Sequence, residues 1–267
     1  MEAFAGIDLA FAKGKRLPVC LCIREDGRLV PLPLAEHNVP PPPRGRGNVA
    51  SIDCSIIDEF AKETAKYLHD LESHFDVSIS RIAIDAPSSP RQESLKRRDA
   101  ESALNRQGIS CFTTPSAVEF EAKVARVVDH LRNGGPESTL PAANQLWMRV
   151  GFALFNRLMT KWECLEVYPQ ATAHVLGAAK LHKSKEDGIS AQMKAIVQYT
   201  GWDDPLVRTP REALKKVVCG PAHDGLDAYS SAWIASLDPL ECQAFGTPPG
   251  DAIWVPMLRK LRTIDRL

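Results

Sequence analysis

The sequence predicts an α/β fold: a mixed sheet with helices on both faces and a helical insertion at about 88–162. Three observations carry that expectation. The chain opens on three strand-like runs, two of them joined by a hairpin signal. Helical and strand patterns then alternate, the order that gives a mixed sheet covered on both sides. No linker is clean enough to split the 267 residues, so 1–267 is read as one domain.

The opening runs are Phe4–Ala10, Leu17–Arg24 and Arg28–Leu34, with Glu25-Asp-Gly between the last two as the hairpin signal. Pro40-Pro-Pro-Pro-Arg-Gly-Arg-Gly-Asn48 follows and reads as a solvated surface loop, because proline blocks both helix and central strand. Its arginines, Arg44 and Arg46, are alternative phosphate contacts. A helix is expected next, since Ile56, Ile57, Phe60, Ala61, Ala65, Leu68, Leu71 and Phe75 recur at helical spacing. Ile82–Asp85 is a short apolar strand stopped by Pro87. Helices are expected at about Gln92–Arg106 and Ala142–Met159, then a strand at Cys164–Tyr168. Short helices at Ala171–Leu176 and Ile189–Tyr199 precede a last clear helix at Asp224–Leu237, and Ile253–Val255 reads as a final strand.

Composition narrows the function classes. The chain is 44% hydrophobic and 25% charged, which excludes a wholly disordered or fibrous protein. Thirty-three basic and 33 acidic residues cancel, which argues against a generic polyanion binder but leaves room for a local basic groove. No run reaches the roughly 18 apolar residues that a membrane span needs. The first residues lack a basic region ahead of an apolar stretch, so no signal peptide is expected. The seven cysteines are odd in number and scattered, the usage expected of reduced thiols in a cytoplasmic protein. Cys20 and Cys22 share one face of a strand and read as buried packing residues rather than metal ligands. The oligomeric state is open, a homodimer included.

The chemistry sits in misplaced acids. Asp8 lies in Ala5-Gly-Ile-Asp-Leu-Ala10, Asp85 ends Ile82-Ala-Ile-Asp, and Glu166 lies in Cys164-Leu-Glu-Val-Tyr-Pro169. A carboxylate in an apolar strand is expensive unless it is paired or bound to metal. All three stand at or near the C-terminal end of a strand, the edge at which open α/β sheets bind ligands. Asp224 and Asp227 open the last helix three residues apart, on one side of its first turn. Taken alone they fit an ordinary helix start, Asp224 as N-cap and Asp227 as a partner of the helix dipole. Taken with the strand acids they fit a cage. Converging carboxylates repel one another unless a cation intervenes, and a hard ion such as Mg²⁺ or Mn²⁺ takes oxygen ligands. Two such ions about 3.5–4 Å apart can activate water and stabilise the leaving oxygen of a phosphodiester.

At these residues the sequence resembles the ribonuclease H-like superfamily. More narrowly, it is similar to the family called domain of unknown function 429, described as predicted nucleases. The motifs are Gly6-Ile-Asp-Leu-Ala10, Ile84-Asp-Ala-Pro87, Glu166-Val-Tyr-Pro169 and Asp224-Gly-Leu-Asp-Ala228, with Gly250-Asp-Ala-Ile-Trp-Val-Pro256 as the closing strand. The resemblance implies a five-stranded sheet in the order 3-2-1-4-5, its first three strands antiparallel, with Asp8 beside Asp85. It implies a divalent-metal-dependent nuclease acting on DNA or RNA. Asp8, Asp85, Asp224 and Asp227 would be metal ligands, and these four with Glu166 the catalytic set. Glu59 and Glu63 lie in the first helix, where ribonuclease H has its glutamate, but in no recognisable motif.

Further contacts are weighed beside this cage. Arg91, Lys96, Arg97, Arg98 and Arg106 follow Asp85 and are candidate phosphate contacts; the alternative is a solvated helix face balanced by Glu93, Asp99 and Glu101. Lys180, Lys183 and Lys185 form a second basic cluster, in which Lys183 is the candidate nucleic-acid contact. Trp147 reads as a core residue before a base-stacking one, and His223 as a surface histidine before a proton shuttle. Two rival functions remain open. One is a phosphotransferase or ATPase of the actin-like or sugar-kinase class, which also begins on a strand Gly-x-Asp but needs a second glycine-rich phosphate turn absent here. The other is a non-catalytic nucleic-acid-binding protein.

Overall fold

The computed structural model describes residues 1–202 and 209–261. The sheet is built from β1 (Glu2–Asp8), β2 (Val19–Glu25), β3 (Arg28–Pro31), β4 (Ser78–Asp85) and β5 (Glu163–Glu166) in the order β3-β2-β1-β4-β5. β1, β2 and β3 are antiparallel, whereas β4 and β5 run parallel to β1. The α/β class and the 3-2-1-4-5 order are therefore as expected. The β2–β3 hairpin turns on Asp26 and Gly27, both at positive φ, the backbone that matches a tight turn to the twist of its strands.

Eight helices are described: α1 (Cys54–Phe75), α2 (Asp99–Arg106), α3 (Ala117–Arg132), α4 (Ala143–Leu158), α5 (Pro169–Val175), α6 (Glu186–Thr200), α7 (Pro210–Val217) and α8 (Ala222–Ser236). The segment between β4 and β5 is helical, carrying α2, α3 and α4. No described helix is long and apolar enough to cross a membrane.

Side-chain alternation assigns the two faces. Ala3, Ala5 and Ile7 of β1, with Ile82 and Ile84 of β4, pack into one core with Phe60, Leu68 and Leu71 of α1 and Leu154 and Leu158 of α4. Phe4 of β1 and Ala83 of β4 face the other way, into a second core with α6, α7 and α8. Gly6 lies on this second face, where a methyl group would overlap the Ala228 carbonyl and the Ala232 amide. Only glycine lets α8 come this close to β1. That approach brings the start of α8 to the strand end carrying Asp8.

Several boundaries differ from expectation. The first strand ends at Asp8, which releases Leu9 and Ala10 into the loop beyond the sheet edge. The helix expected from Gln92 begins only at Asp99, because Arg98 is extended and its side chain is drawn inward. α3 was not anticipated; its start carries a capping box, Ser116 and Glu119, that is readable as S-x-x-E. The last strand, β7 (Asp251–Pro256), does not join the main sheet but pairs antiparallel with β6 (Cys242–Thr247). All seven cysteines are free, and Cys20 and Cys22 are buried with sulfurs 3.7 Å apart.

Candidate metal centre

β1 and β4 are in register with Asp8 directly beside Asp85. Asp8 shares its face with Phe4 and Gly6, and Asp85 shares its face with Ala83, so both carboxylates point toward α8. Asp227, in the second turn of α8 and buried, meets them there. One carboxylate oxygen from each of Asp8, Asp85 and Asp227 lies within 4.8 Å of the other two.

This triad carries more negative charge than its surroundings neutralise. The Asp8 carboxyl is held well above the ordinary range by burial, and then by the charges of Asp227, Asp85 and Asp224. Asp85 is pushed up to about 8 by burial and the charge of Asp227. Burial raises Asp227 as well, although Lys183 opposes the shift. The Lys183 ammonium is ion-paired to Asp227. Burial alone would lower its pKa, but Asp227, Asp85 and Asp8 hold it above the usual lysine value. One monovalent cation thus faces three carboxyls. Three oxygens of this kind, converging and short of positive charge, fit a hard divalent cation such as Mg²⁺ or Mn²⁺.

The other two predicted acids stand apart. Asp224 lies in the first turn of α8, whose N-cap is Pro221, so it is not the N-cap. It is paired with Lys15 at 2.6 Å and with His223 at 3.0 Å and lies outside the triad of oxygens. Glu166 pairs in register with Ile84, whose side chain enters the α1–α4 core. By that register Glu166 emerges on the face opposite Asp85, although both carboxylates line one cleft and the charge of Glu166 adds to the upward shift of Asp85. There its two oxygens accept from Arg98 Nη1 and Nη2, both at 2.8 Å, and one also accepts from the Ser88 amide at 2.8 Å. Asp251 of β7 completes the bridge at 3.0 Å from Arg98 Nε.

These contacts correct part of the expected phosphate interface. Arg98 is 3% exposed and neutralises Glu166 and Asp251, so it is not free to meet phosphate. Arg91 is also buried, pairing with Glu119 at 2.6 Å and donating to the Thr114 carbonyl at 3.2 Å. Arg97 is half-buried and donates to the Thr113 hydroxyl at 2.6 Å. Lys183 turns to the triad. Lys96 and Arg106 are exposed. In the first helix, Glu63 is paired with Arg46 at 2.6 Å on the exposed surface.

Asp8 and Asp85 of the triad open into a cleft of about 430 Å³. Asp8, Lys15, Asp85 and Asp224 are among its polar lining, as are the bridged Arg98 and Glu166, and Phe11, Pro87, Phe112, Trp147 and Tyr168 are on the apolar side. Lys15 was missed as a site residue, although Lys13, Lys15 and Arg16 just after the first strand gave the signal. The β1–β2 loop and the proline-rich loop are laced together by Gly14 and Gly45 amides donating to Gly45 and Lys15 carbonyls, both at 2.8 Å. Arg44 adds a bond to the Gly14 carbonyl at 2.8 Å. Lys13, Lys15, Arg16, Arg44 and Arg46 thus lie on two joined loops; Lys15 lines the cleft, whereas Arg16, Arg44 and Arg46 line a separate hollow with Glu63, Tyr67 and Asp70 of α1.

An α/β protein with a carboxylate triad at the C-terminal edge of its sheet is the class that fold and site define. Among known families, the chain belongs to the one described as "Protein of unknown function (DUF429)", whose model matches residues 6–249. No curated protein and no solved structure matches the chain.

Proposed function

We propose that the protein is a divalent-metal-dependent nuclease that hydrolyses phosphodiester bonds of nucleic acid. The observation that carries this reading is the convergence of Asp8, Asp85 and Asp227 within 4.8 Å, with the Lys183 ammonium paired to Asp227. The strand order, with its first three strands antiparallel, is the one implied by the resemblance to the ribonuclease H-like superfamily, and it supports placing the chain there.

Asp8, Asp85 and Asp227 would hold Mg²⁺ or Mn²⁺. The chemistry such an ion supplies when bound is a more acidic water and stabilisation of the charge that develops at the phosphorus centre. The chain's own residues do the rest. The adjacent strand ends fix Asp8 and Asp85 rigidly, and α8 supplies the third oxygen from the side. Lys183 tempers the charge of Asp227. Lys15, with Asp224 holding it at the cleft, offers an ammonium to a phosphate. The lysines and arginines of the two joined loops give a path along which a polyanion is attracted. Glu166 acts through Arg98 and the Ser88 amide to brace the loop after β4, as a positioning residue. A reducing, cytoplasmic setting accords with the seven free thiols.

The test is Mn²⁺-dependent cleavage of single- and double-stranded DNA and RNA, with calorimetric titration of the ion. The wild type is expected to bind Mn²⁺ and cut. Asp8→Asn is expected to lose cleavage by at least about a hundredfold, on the scale of a lost electrostatic element of an active site, while keeping its circular dichroism. Undiminished cleavage by Asp8→Asn, or no divalent binding by the wild type, would overturn the reading.

A further inference from the structure

The apolar wall of the cleft has a feature that the acid triad does not use. Phe112 is 56% exposed, and among the described residues it is the one aromatic side chain in the group of exposed large hydrophobics. It is not on a loose tip. The Tyr168 hydroxyl donates to the Ser110 carbonyl at 3.0 Å, and the Gln145 side chain donates to the Thr113 carbonyl at 2.9 Å. The Thr114 amide donates to Glu101 at 2.9 Å and the Arg97 guanidinium to the Thr113 hydroxyl at 2.6 Å. The backbone is therefore fixed on both sides of Phe112. The ring stands edge-to-face with Trp147, centroids 6.4 Å apart, and both rings line the cleft that holds Asp8 and Asp85. The Trp147 indole N–H is satisfied by the Asn144 carbonyl at 2.9 Å, so the tryptophan offers surface rather than a donor.

A rigidly held pair of rings, Phe112 exposed and Trp147 half-buried, beside an acidic metal-type site suits a ligand that is planar and apolar at one end and phosphorylated at the other. We propose that Phe112 and Trp147 form a stacking platform for an unpaired base of the substrate strand, so that the site takes single-stranded nucleic acid. This rests on the nuclease reading. A base inside a duplex is covered on both faces by its neighbours and has no face to give; only an unpaired base stacks on a side chain. A cleft of about 430 Å³ has room for one unpaired base with its sugar and phosphate. Lys15 lines the cleft, and the exposed Lys13 and Arg44 on the joined loops extend the positive charge beyond it, which favours a strand over a free nucleotide.

The experiment is fluorescence anisotropy with a labelled single-stranded oligonucleotide, a duplex of equal length and a mononucleotide, in Ca²⁺ and again in EDTA. The proteins are wild type, Phe112→Ala and Phe112→Trp. The single strand is expected to bind the wild type about tenfold or more tighter than the duplex or the mononucleotide. Phe112→Ala is expected to weaken single-strand binding roughly five- to hundredfold, the range of one lost base–aromatic stack. Phe112→Trp is expected to restore it, and duplex binding is expected to be unchanged throughout. Phe112 is exposed, so an unaltered melting temperature checks that the alanine variant folds. Equal single-strand affinity of wild type and Phe112→Ala would overturn the platform, as would a duplex or mononucleotide bound as tightly as the strand, or no binding of any of the three. If Mn²⁺ neither binds nor supports cutting but Phe112→Ala still weakens the single strand, the metal reading falls and the platform stands.

Discussion

Asp85 and Glu166 end neighbouring strands of one sheet, and their surroundings are opposite. Glu166 is matched by a bidentate guanidinium and a backbone amide, so its charge is settled within the chain. Asp85 looks the other way, toward Asp8 and Asp227, where three carboxyls share one lysine. The bridge is a finished structure, because fork-shaped Arg–carboxylate pairing satisfies both partners in place. The triad is an unfinished one, whose missing charge has to come from solution as protons or as a metal ion. A buried acid is therefore a clue to function only after its partners have been counted.

That contrast can be broken from either side. The largest effect is expected from the bridge. Arg98→Ala leaves Glu166 buried and unpaired, and loss of one partner of a buried pair costs about 3–5 kcal/mol. Urea titration measures it, and Glu166→Gln in the same chain is expected to recover part of the loss. A silent Arg98→Ala would mean that the bridge is ornamental.

The triad is expected to respond in the opposite sense. Asp85→Asn removes a repelled carboxyl, so the metal-free protein becomes more stable near pH 8.5, by an amount on the order of 1–3 kcal/mol. The same variant loses any rise in melting temperature on addition of Mn²⁺. The pH dependence follows from the sign of the shift. In the folded protein Asp85 keeps its proton up to about 8, whereas in the unfolded chain it releases it near the ordinary carboxylate value of 3.8. The folded state binds the extra proton, so this contribution to metal-free stability falls as pH rises from about 4 to about 8. The rise in melting temperature caused by Mn²⁺ is expected to grow over the same window. A flat profile between pH 5 and pH 8 would count against an uncompensated triad.

The smallest effect is assigned to Lys183. Its ammonium competes with a dication for Asp227. Lys183→Met is therefore expected to tighten Mn²⁺ binding about three- to tenfold, on the scale of roughly 1 kcal/mol for one nearby charge screened as in water. It is also expected to lower the stability of the metal-free form. Weaker Mn²⁺ binding would instead make Lys183 a support of the site.

Much of this was legible beforehand. The hairpin turn, the long first helix, the apolar strands and their acids are local patterns of periodicity and turn chemistry, and they survive folding with shifts of a few residues. Asp8 and Asp85 stood out because an acid in an apolar strand has no local excuse. Glu166 stood out for the same reason, and the reason was sound: it is a buried acid that needs a partner. Its partner, however, is an arginine 68 residues earlier in the chain. Arg98 was read as a phosphate contact because a basic run looks solvent-facing when nothing marks which of its members turns inward.

The sequence by itself determined which residues form strands and helices and which carboxylates are out of place, since these depend on neighbours within a few positions. Only the tertiary structure decided which acids meet. Strand register set Asp85 beside Asp8 and opposed Glu166 to Ile84, and one residue along a strand reverses the face on which a side chain emerges. The side-chain-free surface of Gly6 then let α8 close on β1 and bring Asp227 into reach. Whether a carboxylate ends in a salt bridge or in an open cage was fixed by that alternation and that close contact, neither of which any local stretch of residues encodes.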